Sequence, residues 1–492
     1  MGILSLLLWT PVIGALLLTL SSGQNIVFIR WISLGSASLT FSLAIYLAAI
    51  FDPTSTSAQF TEHFILNSTL GNAYALGVDG LSLPMLLLAS LLTCIVLATS
   101  CSTVITQRIK SYHICILLLE FGMLGVFLTL DWGLFYVFWE ATLIPLFFLI
   151  DRWGNQRRHA ASLNFFLYTI GGSIFILVSL FAIGEYIPDM SGSLMSNFTK
   201  AAQSMPPDKQ IWVLIGFLIG FSVKLPIFPL HGWLPLVYVE TPYPISMLIS
   251  GVILKMGAYG LLRVMPMLPS ALLSMQDILC ALALFSMLYG GLLAWRQSDL
   301  RAMLAYSSIS YMGLVLLGIT AGNLMGLNGA ILQMTGHGLI AAALFLLIGI
   351  LHQRTGTSNI HEYSSLAQVM PRFAVLTTVS LLATMGLPGT VSFVAQLHIL
   401  IGGFEQWRSW MVLLSFSILV NAAYTIRTIG LLFSGPAKAP PSGLTDLNNR
   451  EYLMTLILVT GIVIFGFFPA ALIEISSVSI SQLINAMSAK VG

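Results

Sequence analysis

The stretch Phe221-Ser-Val-Lys-Leu-Pro-Ile-Phe-Pro-Leu-His-Gly-Trp-Leu-Pro235 sets a lysine and a run of prolines inside an otherwise apolar window that opens near residue 209. Pro226 and Pro229 each remove a backbone donor and crowd the preceding turn, so one continuous helix cannot pass through them. In an aqueous protein such a break is unremarkable. At membrane depth the freed carbonyls are tolerated only where they face protein or a wet cavity. Whether this stretch sits in a membrane is therefore the first question, and the rest of the chain answers it.

Of the 492 residues, 57% are hydrophobic and 8% charged, with a mean hydropathy of +0.93. Soluble domains carry roughly 25% charge. So few ionisable groups cannot cover a water-exposed surface, and no soluble domain is visible. Apolar windows of about 20 residues, the length a spanning helix needs, fall near 3–21, 30–50, 80–100, 112–130, 132–150, 162–186, 209–230 and 241–263. They continue near 272–294, 300–322, 325–351, 373–402, 408–434 and 453–475. The chain is thus an all-α polytopic membrane protein of about 14 transmembrane helices. The first window has no preceding basic residue and no small-residue cleavage site, so it reads as a retained helix. The net charge of +2, with basic residues scattered in short loops, excludes a nucleic-acid partner. Cys94, Cys101, Cys115 and Cys280 form no cluster and imply neither disulfides nor a metal site.

With the N-terminus outside, thirteen basic residues fall on the inner face and five outside, while Lys224 and Lys255 fall within helices. This positive-inside bias supports fourteen helices with both termini outside. A second apolar window is broken by Gly386-Leu-Pro-Gly-Thr390. The two discontinuous helices are the seventh and the twelfth, five apart, and an odd offset reverses the direction of travel. Broken helices in corresponding positions are the sequence sign of inverted repeats. Expected divisions are N-terminal helices 1–3 (1–111), a first five-helix repeat of helices 4–8 (112–265), a second inverted repeat of helices 9–13 (266–434), and an inner loop with helix 14 (435–492).

Charge at the bilayer centre costs roughly 2.5–3.5 kcal/mol on insertion scales, so a residue that persists there has a partner or a function. Glu140, Lys224, Lys255 and His337 each lie about 8 to 14 residues into their helices, which at 1.5 Å per residue is near the middle of a 30 Å core. A desolvated lysine releases its proton more readily, and a nearby carboxylate restores the charged form. Glu140 with Lys224 is therefore a candidate proton switch, against the alternative of a static ion pair fixing helix packing. Lys255, beside Gly257 and Gly260, is a candidate relay or a bridge to a loop carbonyl. His337, between Gly336 and Gly338, is a candidate relay or a satisfied core histidine. Glu120 is a second carboxylate, and His231 is a gate or a surface residue. Asp299 suits the positive end of a helix dipole. Trp132, Phe135, Tyr136 and Trp139 are expected at the lipid or interfacial surface, without chemistry.

No glycine-rich dinucleotide fingerprint, P-loop or ligand cluster is present. No cofactor is expected in this chain. The segments Leu118-Leu-Glu-Phe-Gly-Met-Leu-Gly-Val-Phe127, Phe135-Tyr-Val-Phe-Trp-Glu140 with Ile144-Pro145, Val223-Lys-Leu-Pro226 through His231-Gly-Trp-Leu-Pro235, Leu254-Lys-Met-Gly257 and Ala305-Tyr-Ser-Ser308 resemble the antiporter-like subunits of respiratory complex I, most of all the M type. The resemblance covers nearly the whole chain. It implies a proton channel of two inverted five-helix repeats in a complex that oxidises NAD(P)H or ferredoxin and reduces a quinone. NAD(P)H or ferredoxin, iron-sulfur clusters and quinone then belong to other subunits. The partners are homologous antiporter-like and other membrane-arm subunits, with lipids, in an energy-transducing membrane such as the thylakoid. Carried over by motif, Glu140 and Lys224 form the coupling pair, Lys255 connects, and His337 relays.

Gln396 departs from the family, which usually has a glutamate there. Tyr311 stands where the family has the histidine of Ser-His-Met-Gly, and Leu236 and Tyr238 replace an aspartate and a histidine. These departures leave exit through the second half-channel to His398, Glu405 or water, and resemble a specialised paralogue such as the form in cyanobacterial carbon dioxide uptake complexes. Two other readings stand beside the proton pump: a multisubunit cation/proton antiporter, and a structural subunit that has lost transport.

Overall fold

In a computed structural model, residues 2–21, 25–67, 72–100, 107–187, 192–435 and 444–488 are described. Cys101, Lys438, Lys490 and most of the proline-rich loop 435–443 lie outside them. Every one of the fourteen apolar windows is helical. In chain order the helices are α1 (Ile3–Leu20), α2 (Ile26–Ile50), α3 (Ser82–Ser100), α4 (Ile109–Leu128), α5 (Trp132–Ala141), α6 (Leu143–Trp153) and α7 (Arg158–Gly184). There follow α8 (Met195–Ser204), α9 (Pro207–Lys224), α10 (Leu234–Glu240), α11 (Tyr243–Leu248), a π-helical turn (Ile249–Ile253), α12 (Leu254–Val264), α13 (Pro269–Arg296) and α14 (Leu300–Ala321). The remainder are α15 (Leu324–Thr355), α16 (Leu366–Val369), α17 (Pro371–Thr384), α18 (Val391–Trp407), α19 (Met411–Phe433), α20 (Asn449–Phe467) and α21 (Ala470–Ser488).

Both expected breaks are present. The seventh helix stops at Lys224 and resumes at Leu234; the twelfth stops at Thr384 and resumes at Val391, with Gly386 and Gly389 at φ +79° and +93°. Pro388 has no N–H to offer the Thr384 carbonyl four residues earlier, so the helix cannot run on. Three features depart from expectation. Helix five is itself interrupted at Thr142, three residues before Pro145. The outer piece 51–79 holds an antiparallel hairpin, β1 (Gln59–Asn67) with β2 (Asn72–Val78), in which Glu62 faces Leu76 and Phe64 faces Tyr74. The final window also divides, so that α21 follows α20 as a further apolar helix.

The chain forms two compact units. The first comprises Met1–Leu225, Val252–Asp277 and Glu474–Gly492; the second comprises Pro226–Gly251 and Ile278–Ile473. In the first, the hairpin is fixed to α1 by Glu62, whose carboxylate accepts from the N–H groups of Leu4 (2.8 Å) and Ser5 (3.1 Å). These are orphan donors of the helix start, where the dipole favours negative charge. α21 lies against the same segment: Ser479 Oγ accepts from Gly80 N–H at 3.0 Å, and Gln482 donates to Thr56 O at 2.5 Å. In the second unit, α15 is buried from Gly326 to Leu351 and forms the centre. Asp299 caps α14, accepting from the N–H groups of Arg301 (2.7 Å) and Ala302 (3.1 Å), as its place before the helix suggested.

Candidate functional site

On α5, Trp132, Phe135 and Trp139 recur at helical spacing, and on α9 Phe217, Phe221 and Lys224 do the same. The two faces interlock. Ring centroids are 5.1 Å apart for Trp132 and Phe135, 5.8 Å for Phe217 and Phe221, and 5.4 Å for Trp139 and Phe221. All five rings are buried, which for Trp132, Phe135 and Trp139 corrects the expected place at the lipid or interfacial surface: sliding hydropathy cannot tell a lipid-facing aromatic from one that packs on a neighbouring helix. Tyr136 is half-buried.

Lys224 continues this aromatic face at the last residue of α9 and is wholly buried. Its ammonium donates to Trp139 O at 3.0 Å and Thr142 Oγ1 at 2.9 Å, and lies 3.8 Å from the centroid of the Trp139 ring. An ammonium has three protons to satisfy. A carbonyl and a hydroxyl at the break in helix five, together with an electron-rich ring face, satisfy it without an anion. Glycines let the supporting helices close in. A Cβ at Gly257 of α12 would fall 2.6 Å from both Leu225 N and Phe221 O, and one at Gly172 of α7 would fall 2.8 Å from Val223 Cγ2.

Glu140 follows Trp139 on α5. It is half-buried, its Oε1 has no hydrogen-bond partner, and among the described residues no ion pair within 4.0 Å joins it to Lys224. The expected couple is therefore a through-space pair and not a contact. Glu120 on α4 is wholly buried, and neither carboxylate oxygen has a hydrogen-bond partner. Lys255 is wholly buried on α12, two residues beyond the π-helical turn. Such turns are frequent at functional sites.

One cluster in the first unit escaped the sequence. Arg263 Nη1 meets Asp79 Oδ2 at 2.5 Å, and Arg263 Nη2 donates to Tyr259 Oη at 2.7 Å. Tyr259 Oη in turn donates to Phe127 O at 3.2 Å. Asp79 also caps α3 through the N–H groups of Leu81 and Ser82. Burial pushes the Asp79 carboxyl up, but the Arg263 guanidinium and these hydrogen bonds outweigh it and hold the group below its ordinary 3.8. The pair anchors the end of the helix that carries Lys255.

In the second unit His337 is buried midway along α15, with the Tyr311 ring at 5.4 Å centroid separation. One turn before it, Gln333 Oε1 accepts from Ser392 Oγ at 3.3 Å. Gln396 is buried on α18 beneath Gly386. His398 Nδ1 instead bonds back to Val394 O of its own helix at 2.8 Å, and Glu405 is exposed, accepting from Asn323 Nδ2 at 2.9 Å. Neither lies with Gln396 in the packed interior. His231 is buried between Phe228 and Tyr289, with ring separations of 5.8 and 5.2 Å. It is no surface residue.

Residues 129–421 match the family described as NADH:quinone oxidoreductase/Mrp antiporter, transmembrane. The chain belongs to this family. Over 473 residues it is 37% identical to an NAD(P)H-quinone oxidoreductase chain 4 of Picosynechococcus sp., covering 93% of this chain and 87% of that one. It is 35% identical to NADH-ubiquinone oxidoreductase chain 4 of Arabidopsis thaliana, covering 98% and 97%. A chain of respiratory complex I from Thermus thermophilus superposes with a TM-score of 0.87 at 28% identity, covering 98% and 99%. The family resemblance read from the motifs is thereby borne out, as is the polytopic helical fold. Within the family region lie Glu140, Lys224, Lys255, His337 and Gln396; Glu120 and the hairpin lie before it.

Proposed function

We propose that this chain is a proton-translocating membrane-arm subunit of a quinone-reducing NAD(P)H or ferredoxin dehydrogenase complex. The observation that carries the reading is the wholly buried Lys224, held by Trp139 O and Thr142 Oγ1 where two helices are interrupted. Both acceptors are neutral, so the site holds the ammonium and the amine alike, and a charge moving on Glu140 biases the choice between them. Glu120, Lys255 and His337 are the further proton-carrying groups. Redox chemistry takes place in other subunits, with NAD(P)H or ferredoxin, iron-sulfur clusters and quinone there. The two inverted repeats, with their discontinuous helices, divide the route into half-channels.

The cyanobacterial relatives support a thylakoid setting, and Gln396 and Tyr311 support a specialised paralogue of the carbon dioxide uptake branch. Contact of α21 with the hairpin segment, which also holds the start of α1, supports both termini lying on the outer, lumenal side. The partners are homologous antiporter-like subunits and other membrane-arm subunits.

The family description also covers Mrp antiporters, so a cation/proton antiporter subunit is the second reading. Proton uptake into membrane vesicles, followed with and without sodium while quinone reduction is driven, separates the two. Uptake that tracks quinone reduction and ignores sodium supports the proposal. Sodium-dependent exchange that persists without quinone reduction overturns it in favour of the antiporter.

A further inference from the structure

α12 is buried from Leu254 to Val264 except at Arg263, and three of its residues stand four apart: Lys255, Tyr259 and Arg263. Such spacing puts them on one face of the helix, with Tyr259 about 6 Å and Arg263 about 12 Å along the axis from Lys255. Between the lysine and the arginine, α12 offers one polar side chain, the Tyr259 hydroxyl. Packing closes the rest. A Cβ at Gly257 would fall 2.6 Å from Leu225 N and Phe221 O, the Phe221 ring presses on Gly260, and the Phe127 ring meets the Tyr259 ring edge-on at 5.1 Å.

The hydroxyl itself is fully engaged. It donates to Phe127 O at 3.2 Å and accepts from Arg263 Nε at 3.0 Å and Nη2 at 2.7 Å. A hydroxyl has one proton to give and two lone pairs to fill, so Tyr259 Oη has no vacant place for a second proton. The guanidinium that fills it does not deprotonate, and it is itself pinned. Its Nη1 meets Asp79 Oδ2 at 2.5 Å, while Asp79 Oδ1 accepts from the N–H groups of Leu81 at 3.1 Å and Ser82 at 3.0 Å. Asp79 thus ties the guanidinium to the start of α3. With both termini outside, as proposed above, this end of α12 faces the outer side.

We propose that Arg263, clamped between Asp79 and Tyr259, is a proton seal that closes the outer side of Lys255. Protons delivered to the outer side would return to Lys255 through a proton-carrying group on the way, and on α12 that group is Tyr259. Return requires a proton from outer water to bond to Tyr259 Oη while the phenol's own proton leaves Phe127 O for the unprotonated Lys255 amine, directly or through one water. One O–H bond forms and one breaks, and the added charge rests on the ammonium. With both lone pairs held by a fixed cation the first bond cannot form, and the cation also repels an approaching hydronium. The polar residues at this end of α12 thus serve closure and not conduction.

This inference rests on the translocation reading above, and one set of vesicles tests the two separately. In sealed vesicles carrying the intact complex, electron transfer builds a proton gradient and is then stopped. Decay of the gradient is followed for wild type, Arg263→Met, and Arg263→Met combined with Tyr259→Phe; uptake per electron is read in the same vesicles, with Lys224→Ala beside them. Arg263→Met keeps an unbranched side chain and gives up every donor. It is expected to speed the decay severalfold and to lower net uptake per electron while electron transfer continues. Adding Tyr259→Phe removes the hydroxyl that would carry the leak and is expected to return the decay to the wild-type rate, although it repairs none of the lost packing. Decay at the wild-type rate in Arg263→Met overturns the seal. Equally fast decay in the single and the combined variant shows that disturbed packing leaks, not the hydroxyl, and overturns it too. Full uptake per electron in Lys224→Ala overturns the translocation reading, whatever the decay shows. Should Arg263→Met fail to assemble, Arg263→Lys takes its place: a single ammonium cannot hold Asp79 and both lone pairs of Tyr259 together, so the same acceleration, reversed by Tyr259→Phe, is expected.

Discussion

Replacing Asp79 by asparagine keeps the side chain's shape and removes the charge that faces Arg263 at 2.5 Å. The two side chains are 17% and 15% exposed, so water screens the pair little. Removing one partner of a buried pair costs about 3–5 kcal/mol, because the other charge stays buried and unmet. Arg263 keeps the Tyr259 hydroxyl at 2.7 Å and the ring at 4.9 Å, which places the expected loss at the lower end, about 3 kcal/mol. The pH dependence follows from the Asp79 carboxyl, which is held below its ordinary 3.8 by Arg263 against the opposing effect of burial. A depressed folded value contributes stability above the unfolded value and loses it as pH falls through the folded one. The pair therefore contributes fully at neutral pH and fails only below about pH 4. The assay is thermal unfolding in detergent for Asp79→Asn, Arg263→Gln and the double variant. Single losses that overlap, with a coupling above about 1 kcal/mol, are expected for residues in contact. Additive losses, or an acid limb unchanged in Asp79→Asn, would refute the pairing.

Gly257→Val sets a side chain 2.6 Å from Leu225 N and Phe221 O; backbone cannot step aside cheaply, so a loss of about 1–3 kcal/mol is expected in the same unfolding assay. Thr142→Val removes one of the two oxygen acceptors of Lys224, and proton uptake per electron is expected to fall while electron transfer and assembly persist. Glu62→Ala uncaps α1 and frees the hairpin, and is expected to cost about 1 kcal/mol of stability and to speed protease cleavage within 51–79, with uptake unchanged.

The broken helices and their buried lysines were legible because their signals are local: prolines within a few residues of Lys224, glycines beside Lys255, and a proline between two glycines after Thr384. What was not legible depends on partners distant in sequence. Asp79 and Arg263 are 184 residues apart, and nothing around either names the other. Hydropathy marked Trp139 as membranous without saying that its carbonyl and ring would hold an ammonium. α21 mixes serines and a glutamate into its apolar run, which blurred it into the preceding window. The hairpin hid within a polar stretch between two strong helices, and the contact of Tyr311 with Thr384 required knowing that two helices separated by more than 70 residues pack together.

The most direct test of the account compares proton uptake with electron transfer in sealed vesicles carrying the assembled complex, wild type against Lys224→Ala. Fewer protons taken up per electron, at preserved quinone reduction, is the expected result. An unchanged ratio in an intact complex would contradict a working channel through Lys224 and leave this residue as a helix-packing group at the end of α9.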